Sequence, residues 1–424
     1  MPPRSSRASL LALEQIGIKL GLDQIRALIR GLDHPDLSYP SILVAGTNGK
    51  GSVTVMVETA LRAAGHRTAR YTSPHLVRLE ERFVIDGREV ETGLLRDVVG
   101  SIQGLIDFLM KTGKLETLPT FFECTTAAAF ELFRRTGVKI AVLEVGLGGR
   151  LDATNVVTPI ATAITSIDFD HQAQLGTTLE SIAREKAGIA KPGVPMVCGR
   201  VPEAAARVIR EICASEHAPL IRASDVVQIA PHDDGETLDV RVGIRSLDAI
   251  RLSLPGRHQR ENAAVAVAVL NEVSERDIPV PDAAIRSGLT EAHWPARLER
   301  FVQDGVPILL DAAHNPAGAR ALASHLQDIG WSRVTLLFGA MRDKDVDGML
   351  AAVAHACERV ICTTAPSPRA MAADELAGIA ARYAPTIEAV PDMEDALARA
   401  IAYRAPVVAA GSIFLIGPLR DILR

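Results

Sequence analysis

A glycine-rich segment with one lysine, Gly46-Thr47-Asn48-Gly49-Lys50-Gly51-Ser52, lies between an apolar run and a helical pattern that extends to about residue 64. Glycines let backbone N–H groups approach a polyphosphate, a helix N-terminus attracts anions, and a lysine can reach phosphate oxygens. The strict pattern G-x-x-x-x-G-K-[ST] is not met, because Val44 replaces the first glycine and Gly51 follows the lysine. A plain glycine turn is the alternative, but the position between strand and helix predicts a phosphate-binding loop.

Two strand ends deliver candidate metal ligands. Glu144 lies at the end of the apolar run 140–145 and opens a second glycine-rich segment, which taken alone is equally typical of a structural turn. The carboxyl ends of parallel strands face the ligand crevice of an open α/β sheet, so Glu144 is a candidate Mg²⁺ ligand. His171 follows the apolar run 160–166 and is a second candidate, with an ordinary loop or core histidine as the alternative.

A further strand end, after the apolar run 306–310, brings Asp311 and His314 to the edge of a second sheet. Pro316 suits the first turn of a helix. The alternative is that Asn315 caps this helix and that His314 is a bystander.

Two lysines are interpreted as ordinary solvent-exposed side chains. Lys186 lies in a helical pattern over 178–190, and its spacing alone favours an ordinary solvated lysine. Lys344 lies in the charged segment 342–345, which we interpret as a solvated loop, with a lysine that faces a cleft as the alternative.

Composition limits the class of protein. The chain has 424 residues, of which 48% are hydrophobic and 23% charged, with a formal net charge of -5. At roughly 150 residues per domain it holds two to three domains, and its charge argues against nucleic-acid or membrane partners. The five cysteines include no C-x-x-C pair, which fits a reducing, cytoplasmic location. Residues 1–17 predict an amphipathic helix rather than a signal peptide.

Apolar β-type runs alternate with helical patterns along most of the chain, which indicates parallel strands joined by crossover helices. We predict an α/β protein with a P-loop-type, mostly parallel sheet in an N-terminal ATPase domain, residues 1–295. A smaller, Rossmann-like α/β C-terminal domain follows, residues 296–424, with the boundary near 294–298. Short alternating segments between 225 and 254 predict a small antiparallel sheet.

Taken together, these segments resemble the folylpolyglutamate synthase and dihydrofolate synthase family, relatives of the ATP-dependent amino-acid ligases that build bacterial cell-wall peptides. In that family a glycine also follows the lysine of the phosphate loop. The resemblance covers essentially the whole chain and lies in GTNGKGS (46–52), YTSPHLVRLEERF (71–83), TFFE (120–123), EVGLGGRLDATN (144–155), DHQAQLGTTLESIAREKAGI (170–189), LPGRHQREN (254–262) and DAAHNP (311–316).

The resemblance implies roles for individual residues. Lys50 and the loop amides would hold the phosphates of ATP, and two Mg²⁺ ions would be held by Ser73, Glu144 and His171. Further nucleotide contacts would be Asn262, Arg297 and Asp311. The pteroate side would be lined by Thr120, Phe122 and Asp152, with Phe122 as a stacking face, and His314 would lie near the incoming glutamate. Lys186, carbamylated by CO₂, would add an anionic metal ligand.

The implied reaction joins a carboxylate of dihydropteroate or a folate to the α-amine of L-glutamate, through an acyl phosphate, while ATP becomes ADP and phosphate. We expect a monomer that closes about residues 294–298 during the reaction. A cell-wall-type amino-acid ligase is an alternative, disfavoured because only about 40 residues precede the phosphate loop. A phosphate-loop ATPase switch is another. The sequence leaves open whether the first glutamate, the later ones, or both are added.

Overall fold

A computed structural model of the chain describes residues 17, 19, 21–234 and 236–424, so residues 1–16 of the predicted N-terminal helix lie outside the described residues. The chain forms two compact units. The first comprises the described residues up to 167 together with 179–251 and 262–292, apart from residue 235. The second comprises 168–178, 252–261 and 293–424, so two short segments from earlier in the chain belong to it.

The first unit contains an eight-stranded sheet in the order β4-β3-β2-β5-β1-β6-β7-β8. Its strands are β1 (Ser41–Ala45), β2 (Thr68–Tyr71), β3 (Phe83–Ile85), β4 (Arg88–Glu89), β5 (Ile140–Glu144), β6 (Ala161–Ile164), β7 (Met196–Cys198) and β8 (Leu220–Arg222). All neighbours pair in parallel except β2 with β3 and β3 with β4. The central strands β1 and β5 are buried along their whole length, which explains why they are apolar except for Ser41 and Glu144 at their ends. The predicted mostly parallel sheet is confirmed.

Helices and a small sheet complete the first unit. The predicted antiparallel sheet is present as β9 (Val227–Pro231), β10 (Leu238–Val242) and β11 (Arg245–Ile250). The helices of this part of the chain are Asp23–Gly31, Lys50–Ala63, Thr92–Lys111, Phe121–Arg135, Leu179–Ala187, Glu203–Ser215, Ala223–Val226, His258–Ser274 and Asp282–Thr290. Residues 258–261 of the helix His258–Ser274 belong to the second unit. Among the described residues, no helix combines the length and apolarity that a membrane span needs.

The second unit contains a six-stranded sheet in the order β12-β13-β17-β14-β15-β16. Its strands are β12 (Glu299–Gln303), β13 (Val306–Leu310), β14 (Val334–Phe338), β15 (Cys357–Cys362), β16 (Thr386–Ala389) and β17 (Val407–Ala410). The antiparallel edge strand β12 was not predicted, because alternate residues are exposed and no apolar run marks it. The helices are Gln172–Leu175, Pro316–Asp328, Val346–Val353, Ala373–Ala380, Met393–Ala402 and Ile413–Ile422. The separate C-terminal α/β unit is as expected.

Candidate functional site

The helix Lys50–Ala63 begins directly at the predicted phosphate loop. Its N-cap is Gly49, with φ of 85°, and no side chain caps this end. The first N–H groups of a helix have no intrahelical acceptor, so this end is suited to bind an anion. The positive φ favours glycine at this position, and a Cβ on Gly49 would also lie 2.3 Å from Oδ1 of Asn262. The predicted nucleotide contact Asn262 therefore packs against the loop.

Two residues that follow β6 hold the loop in shape. The N–H of Thr47 donates to the carbonyl oxygen of Ser166 at 2.8 Å, and the N–H of Asn48 donates to the Ser166 hydroxyl at 3.0 Å. The Thr165 hydroxyl in turn donates to the carbonyl oxygen of Asn48 at 2.6 Å. Because these two loop amides are bonded within the protein, the donors aimed at a ligand come from the start of the helix. Sequence reasoning did not single out Thr165, although its place at a strand end beside the loop was a usable clue.

Two lysines converge on one carbonyl oxygen of the loop. Nζ of Lys50 donates to the carbonyl oxygens of Gly46 and Thr47, at 3.1 Å each. Nζ of Lys186 also donates to the carbonyl oxygen of Gly46, at 2.9 Å. Lys186 is only 5% exposed, so the interpretation as a solvated helix lysine is wrong. Spacing along a helix does not tell which neighbour covers a given face.

The second glycine-rich segment packs against the end of the helix that contains Lys186. A Cβ on Gly149 would lie 2.7 Å from the carbonyl oxygen of Lys186 and 2.8 Å from that of Glu185. The N–H of Arg150 donates to the same Glu185 carbonyl oxygen at 2.8 Å. A glycine is therefore needed at 149 because two backbones meet there, and the contact fixes where Lys186 lies.

Two of the three predicted metal ligands lie side by side. Glu144 ends β5 and is buried, and its Oε2 accepts the backbone N–H of Ser73 at 3.1 Å. A carboxylate beside a hydroxyl-bearing residue is an oxygen donor set that fits Mg²⁺. His171 belongs to the segment 168–178 of the second unit, and the described residues contain no ready group of three or more His, Cys, Asp or Glu ligands. The ligand role of His171 stays a prediction.

Thr120 and Phe122, predicted for the pteroate side, lie at the start of the helix Phe121–Arg135. Thr120 is the N-cap, and its hydroxyl and N–H both donate to Oε2 of Glu123, at 2.8 and 2.7 Å. The ring of Phe122 covers Gly146, where a Cβ would lie 2.5 Å from Cζ. Thr120 thus has a structural task, while half-buried Phe122 presents a ring beside the second glycine-rich segment. Their binding roles stay predictions.

Asp152, the third residue of that group, is buried within the turn that follows the second glycine-rich segment. Its carboxylate accepts the N–H of Leu147 at 2.9 Å and the N–H and hydroxyl of Thr154 at 3.0 and 2.6 Å. Burial raises the pKa of Asp152, and these hydrogen bonds oppose the rise. The carboxylate therefore holds the turn, and a contact with substrate stays a prediction.

In the second unit, Asp311 braces an unusual turn around Arg297. Oδ2 of Asp311 accepts the N–H of Leu298 and Oδ1 accepts the N–H of Ala313, both at 2.9 Å. Ala296 and Leu298 have φ of 59° and 50°, a left-handed conformation that costs energy for residues other than glycine. Burial raises the pKa of Asp311, while the nearby charge of Arg297 opposes this. The strained turn presents the half-buried Arg297 beside Asp311.

His314 lies in a cluster that sequence reasoning did not assemble. Oδ2 of Asp170 accepts a hydrogen bond from Nδ2 of Asn315 at 3.0 Å and lies 3.4 Å from Nε2 of His314. Oδ1 of Asp170 accepts Nζ of Lys344 at 2.6 Å. The side chain of Lys344 is 9% exposed, so the solvated-loop interpretation is wrong for this lysine. Burial raises the pKa of Asp170, but His314, Lys344 and His171 together hold it below its usual range.

The expectation that Asn315 caps the helix after this strand end is confirmed. Its Oδ1 accepts the N–H of Gly318 at 2.8 Å, so it caps the helix Pro316–Asp328, and Pro316 is in the first turn. The bystander interpretation of His314 is not what the structure shows, because both ring nitrogens have neighbours. Nδ1 donates to the carbonyl oxygen of Ala312 at 2.9 Å, while Nε2 faces Asp170.

Two family models match parts of the chain. Residues 92–270 match the Mur ligase middle domain, and residues 296–416 match the family described as Mur ligase, glutamate ligase domain. These two matches together cover the second glycine-rich segment and the cluster around His314.

Full-length relatives are also similar. The chain is 36% identical over 368 residues to the dihydrofolate synthase/folylpolyglutamate synthase of Bacillus subtilis, covering 85% of each chain. The structure of Mycobacterium tuberculosis folylpolyglutamate synthase complexed with ADP superposes with a TM-score of 0.90 at 33% identity, over 99% of both chains. A bifunctional folylpolyglutamate synthase/dihydrofolate synthase with Mn, AMPPNP and L-glutamate bound has a TM-score of 0.86 at 32% identity, over 100% of both chains.

Proposed function

The chain belongs to the folylpolyglutamate synthase and dihydrofolate synthase family, and on that premise we propose that it joins L-glutamate to dihydropteroate, to folyl(poly)glutamate, or to both, at the expense of ATP. One observation carries the proposal. The uncapped N-terminus of the helix Lys50–Ala63 follows a glycine loop, and Nζ of Lys50 donates to the carbonyl oxygens of Gly46 and Thr47 in that loop. This arrangement suits the binding of a polyphosphate, and the relatives with bound ADP and AMPPNP support that ligand class.

The chemistry follows from the weakness of a carboxylate as an electrophile. Transfer of the γ-phosphoryl group of ATP to a substrate carboxylate oxygen forms an acyl phosphate and releases ADP. The α-amine of glutamate then attacks the acyl carbon, a tetrahedral intermediate forms, and phosphate leaves as the amide is made. Lys50 and the N–H groups at the start of its helix stabilise the negative charge on the phosphoryl oxygens during transfer. No protein nucleophile is needed.

We place a Mg²⁺ ion at Glu144 and Ser73, whose oxygen atoms fit this cation. A metal ion bound there supplies positive charge that neutralises phosphate oxygens. We further propose that His171 contributes to a second ion. The relative that was solved with Mn supports the metal class, and the number of ions is part of the proposal.

We propose that Lys186 is carbamylated. The reaction adds its neutral amine to CO₂, forms an N–C bond and releases one proton, so the side chain gains a negative charge. Support comes from its burial beside the loop, because burial disfavours the charged ammonium and so favours the neutral amine that reacts. The carbamate would replace the hydrogen bond to Gly46 and offer oxygen atoms to the metal beside Glu144.

The remaining assignments follow the same proposal. Asn262, Arg297 and Asp311 contact the nucleotide, and their support is that Asn262 packs against Gly49 and that Asp311 braces the turn of Arg297. Phe122 stacks on the pterin ring, and Thr120 and Asp152 line the same side of the site. His314 lies near the incoming glutamate, which fits the match of its segment to a glutamate ligase domain.

One experiment tests the proposed function. ADP release is measured with dihydropteroate and with a reduced folate, each with and without L-glutamate, and the products are identified by mass spectrometry. We expect ADP release that requires glutamate together with at least one of the two acceptors. Activity with dihydropteroate identifies the first addition, and activity with the reduced folate identifies chain extension. ADP release at the same rate with and without glutamate and the acceptor would instead fit a phosphate-loop ATPase switch and would refute the proposed ligase activity.

A further inference from the structure

The segment 168–178 contains one nearly buried carboxylate that contacts other parts of the second unit. The side chain of Asp170 is 8% exposed. Its Oδ1 accepts hydrogen bonds from Nζ of Lys344 at 2.6 Å and from the backbone N–H of His171 at 2.8 Å. Its Oδ2 accepts a hydrogen bond from Nδ2 of Asn315 at 3.0 Å and lies 3.4 Å from Nε2 of His314. Both oxygens are thus occupied by protein groups from three separate segments.

These contacts decide where two polar side chains point. Lys344 is only 9% exposed, and an ammonium group at that depth is costly unless an opposite charge is paired with it. His314 is held at both ring nitrogens, by the carbonyl oxygen of Ala312 on one side and by Asp170 on the other. An imidazole fixed by a carboxylate in this way keeps one orientation. Without the carboxylate, His314 loses the contact at Nε2, and Lys344 loses the closer of two carboxylate neighbours, since Oδ2 of Asp343 lies at 3.9 Å.

We propose that Asp170 is a positioning residue for glutamate addition, holding His314 and Lys344 in the orientation that receives the incoming amino acid. The inference rests on the proposed function, in which His314 lies near the glutamate. Asp170 itself does not contact the substrate, because its oxygens are already engaged by Lys344, Asn315, His314 and the backbone of His171.

The test compares Asp170→Asn with the matched control Asp168→Asn in the full-length enzyme. Asp168 lies in the same segment and pairs with Arg320 at 2.7 Å, but this pair is near the surface, with side chains 30% and 58% exposed. Exposed ion pairs contribute little. For Asp170→Asn we expect the KM for glutamate to rise at least about tenfold, while the KM values for ATP and the acceptor change less than about twofold. The control should keep all three within about twofold.

A double variant tests whether Asp170 acts through Lys344. If the two residues work as a unit, Asp170→Asn with Lys344→Met should raise the glutamate KM no more than about twofold beyond the worse single variant. The melting temperature of each variant, with and without glutamate, is the second readout. We expect glutamate to stabilise the wild-type protein and Asp168→Asn, and to stabilise Asp170→Asn only at higher concentration.

Three outcomes would overturn the inference. One is an unchanged glutamate KM in a folded Asp170→Asn protein. Another is a fall in kcat with a lower melting temperature and no selective effect on glutamate, which would make Asp170 merely structural. The third is a double variant whose loss is the product of the two single losses. The proposed function fails separately, when the wild-type enzyme releases ADP without needing glutamate.

Discussion

Lys186 and Lys50 share the carbonyl oxygen of Gly46, at 2.9 and 3.1 Å, although Lys186 lies 140 residues further along the chain than this glycine. Two ammonium groups therefore converge on the loop that is suited to a polyphosphate. Both side chains donate to the same backbone oxygen and so lie against the loop backbone. Lys50 and Lys186 can each be replaced by mutation, so the contribution of each lysine to activity can be measured separately.

The Lys50→Ala variant should lose about 100- to 1000-fold in turnover while it stays folded, because Lys50 stabilises charge on the transferring phosphoryl group. Initial rates of ADP release and the melting temperature measure the two effects. Lys111→Ala, at the exposed end of the helix Thr92–Lys111, is the control and should change neither. Normal turnover in a folded Lys50→Ala protein would contradict the assignment of the loop.

The Glu144→Gln variant should need more Mg²⁺ and turn over more slowly. Glutamine keeps the size of the side chain and an oxygen that can accept the N–H of Ser73, so only the negative charge of the proposed metal ligand is removed. A Mg²⁺ titration of initial rates measures the shift, with Glu203→Gln on an exposed helix end as the control. A superimposable titration curve would show that Glu144 is only a strand-end residue.

Lys186 gives opposite expectations for a carbamate and for an ordinary lysine. On the carbamate hypothesis, Lys186→Ala loses most activity, small carboxylic acids restore part of it, and the wild-type enzyme depends on bicarbonate after CO₂ is removed. Nuclear magnetic resonance with ¹³C-labelled bicarbonate detects the carbamate directly. Arginine keeps the positive charge but cannot form the carbamate, so full activity in Lys186→Arg would rule the carbamate out.

Gly149→Ala should destabilise the first unit by about 1–3 kcal/mol, because the new Cβ would press on the carbonyl oxygens of Lys186 and Glu185 at 2.7 and 2.8 Å. The control is Gly100→Ala, in the helix Thr92–Lys111, where a Cβ would meet no atom within 4 Å. Alanine should stabilise that helix by up to about 1 kcal/mol. Thermal unfolding measures both changes. Equal stabilities of the two variants would contradict the close packing at Gly149.

The second unit should lose stability in mild acid because of His258. Burial lowers the pKa of His258 to about 4, and the charges of Arg297 and His325 act in the same direction. The unfolded chain, with an ordinary histidine pKa of about 6.5, then binds more protons than the folded one below that pH. The stabilisation is present above about pH 6.5 and is lost as the pH falls towards 4, by about 2 kcal/mol between pH 7 and 5.

The measurement for His258 is urea unfolding at the two pH values, followed by tryptophan fluorescence. The only two tryptophans, Trp294 and Trp331, both belong to the second unit, so the signal reports on that unit alone. His258→Gln should remove most of the difference between pH 7 and 5. A wild-type protein that is equally stable at both values would refute the prediction.

Local sequence was sufficient wherever the deciding interaction is between neighbours in the chain. The nearly uniformly apolar runs predicted the central parallel strands, because strands covered on both faces are rich in apolar residues. The start of the helix Lys50–Ala63 after Gly49, the cap at Asn315 and the end of β5 at Glu144 are likewise features of residues within a few positions. These features follow from backbone geometry and periodicity alone.

The tertiary structure decided which polar groups are buried and what they meet. In the sequence, Lys186 has the spacing of a solvated helix lysine and Lys344 lies in a charged segment typical of a solvated loop. Only the packing of distant segments covers them and supplies Gly46 and Asp170 as partners. The edge strand β12 and the brace of Asp311 on the turn around Arg297 depend equally on long-range pairing. A sequence pattern records the periodicity of one element, whereas burial and pairing depend on the chain that packs against it, and that partner is chosen only when the whole fold forms.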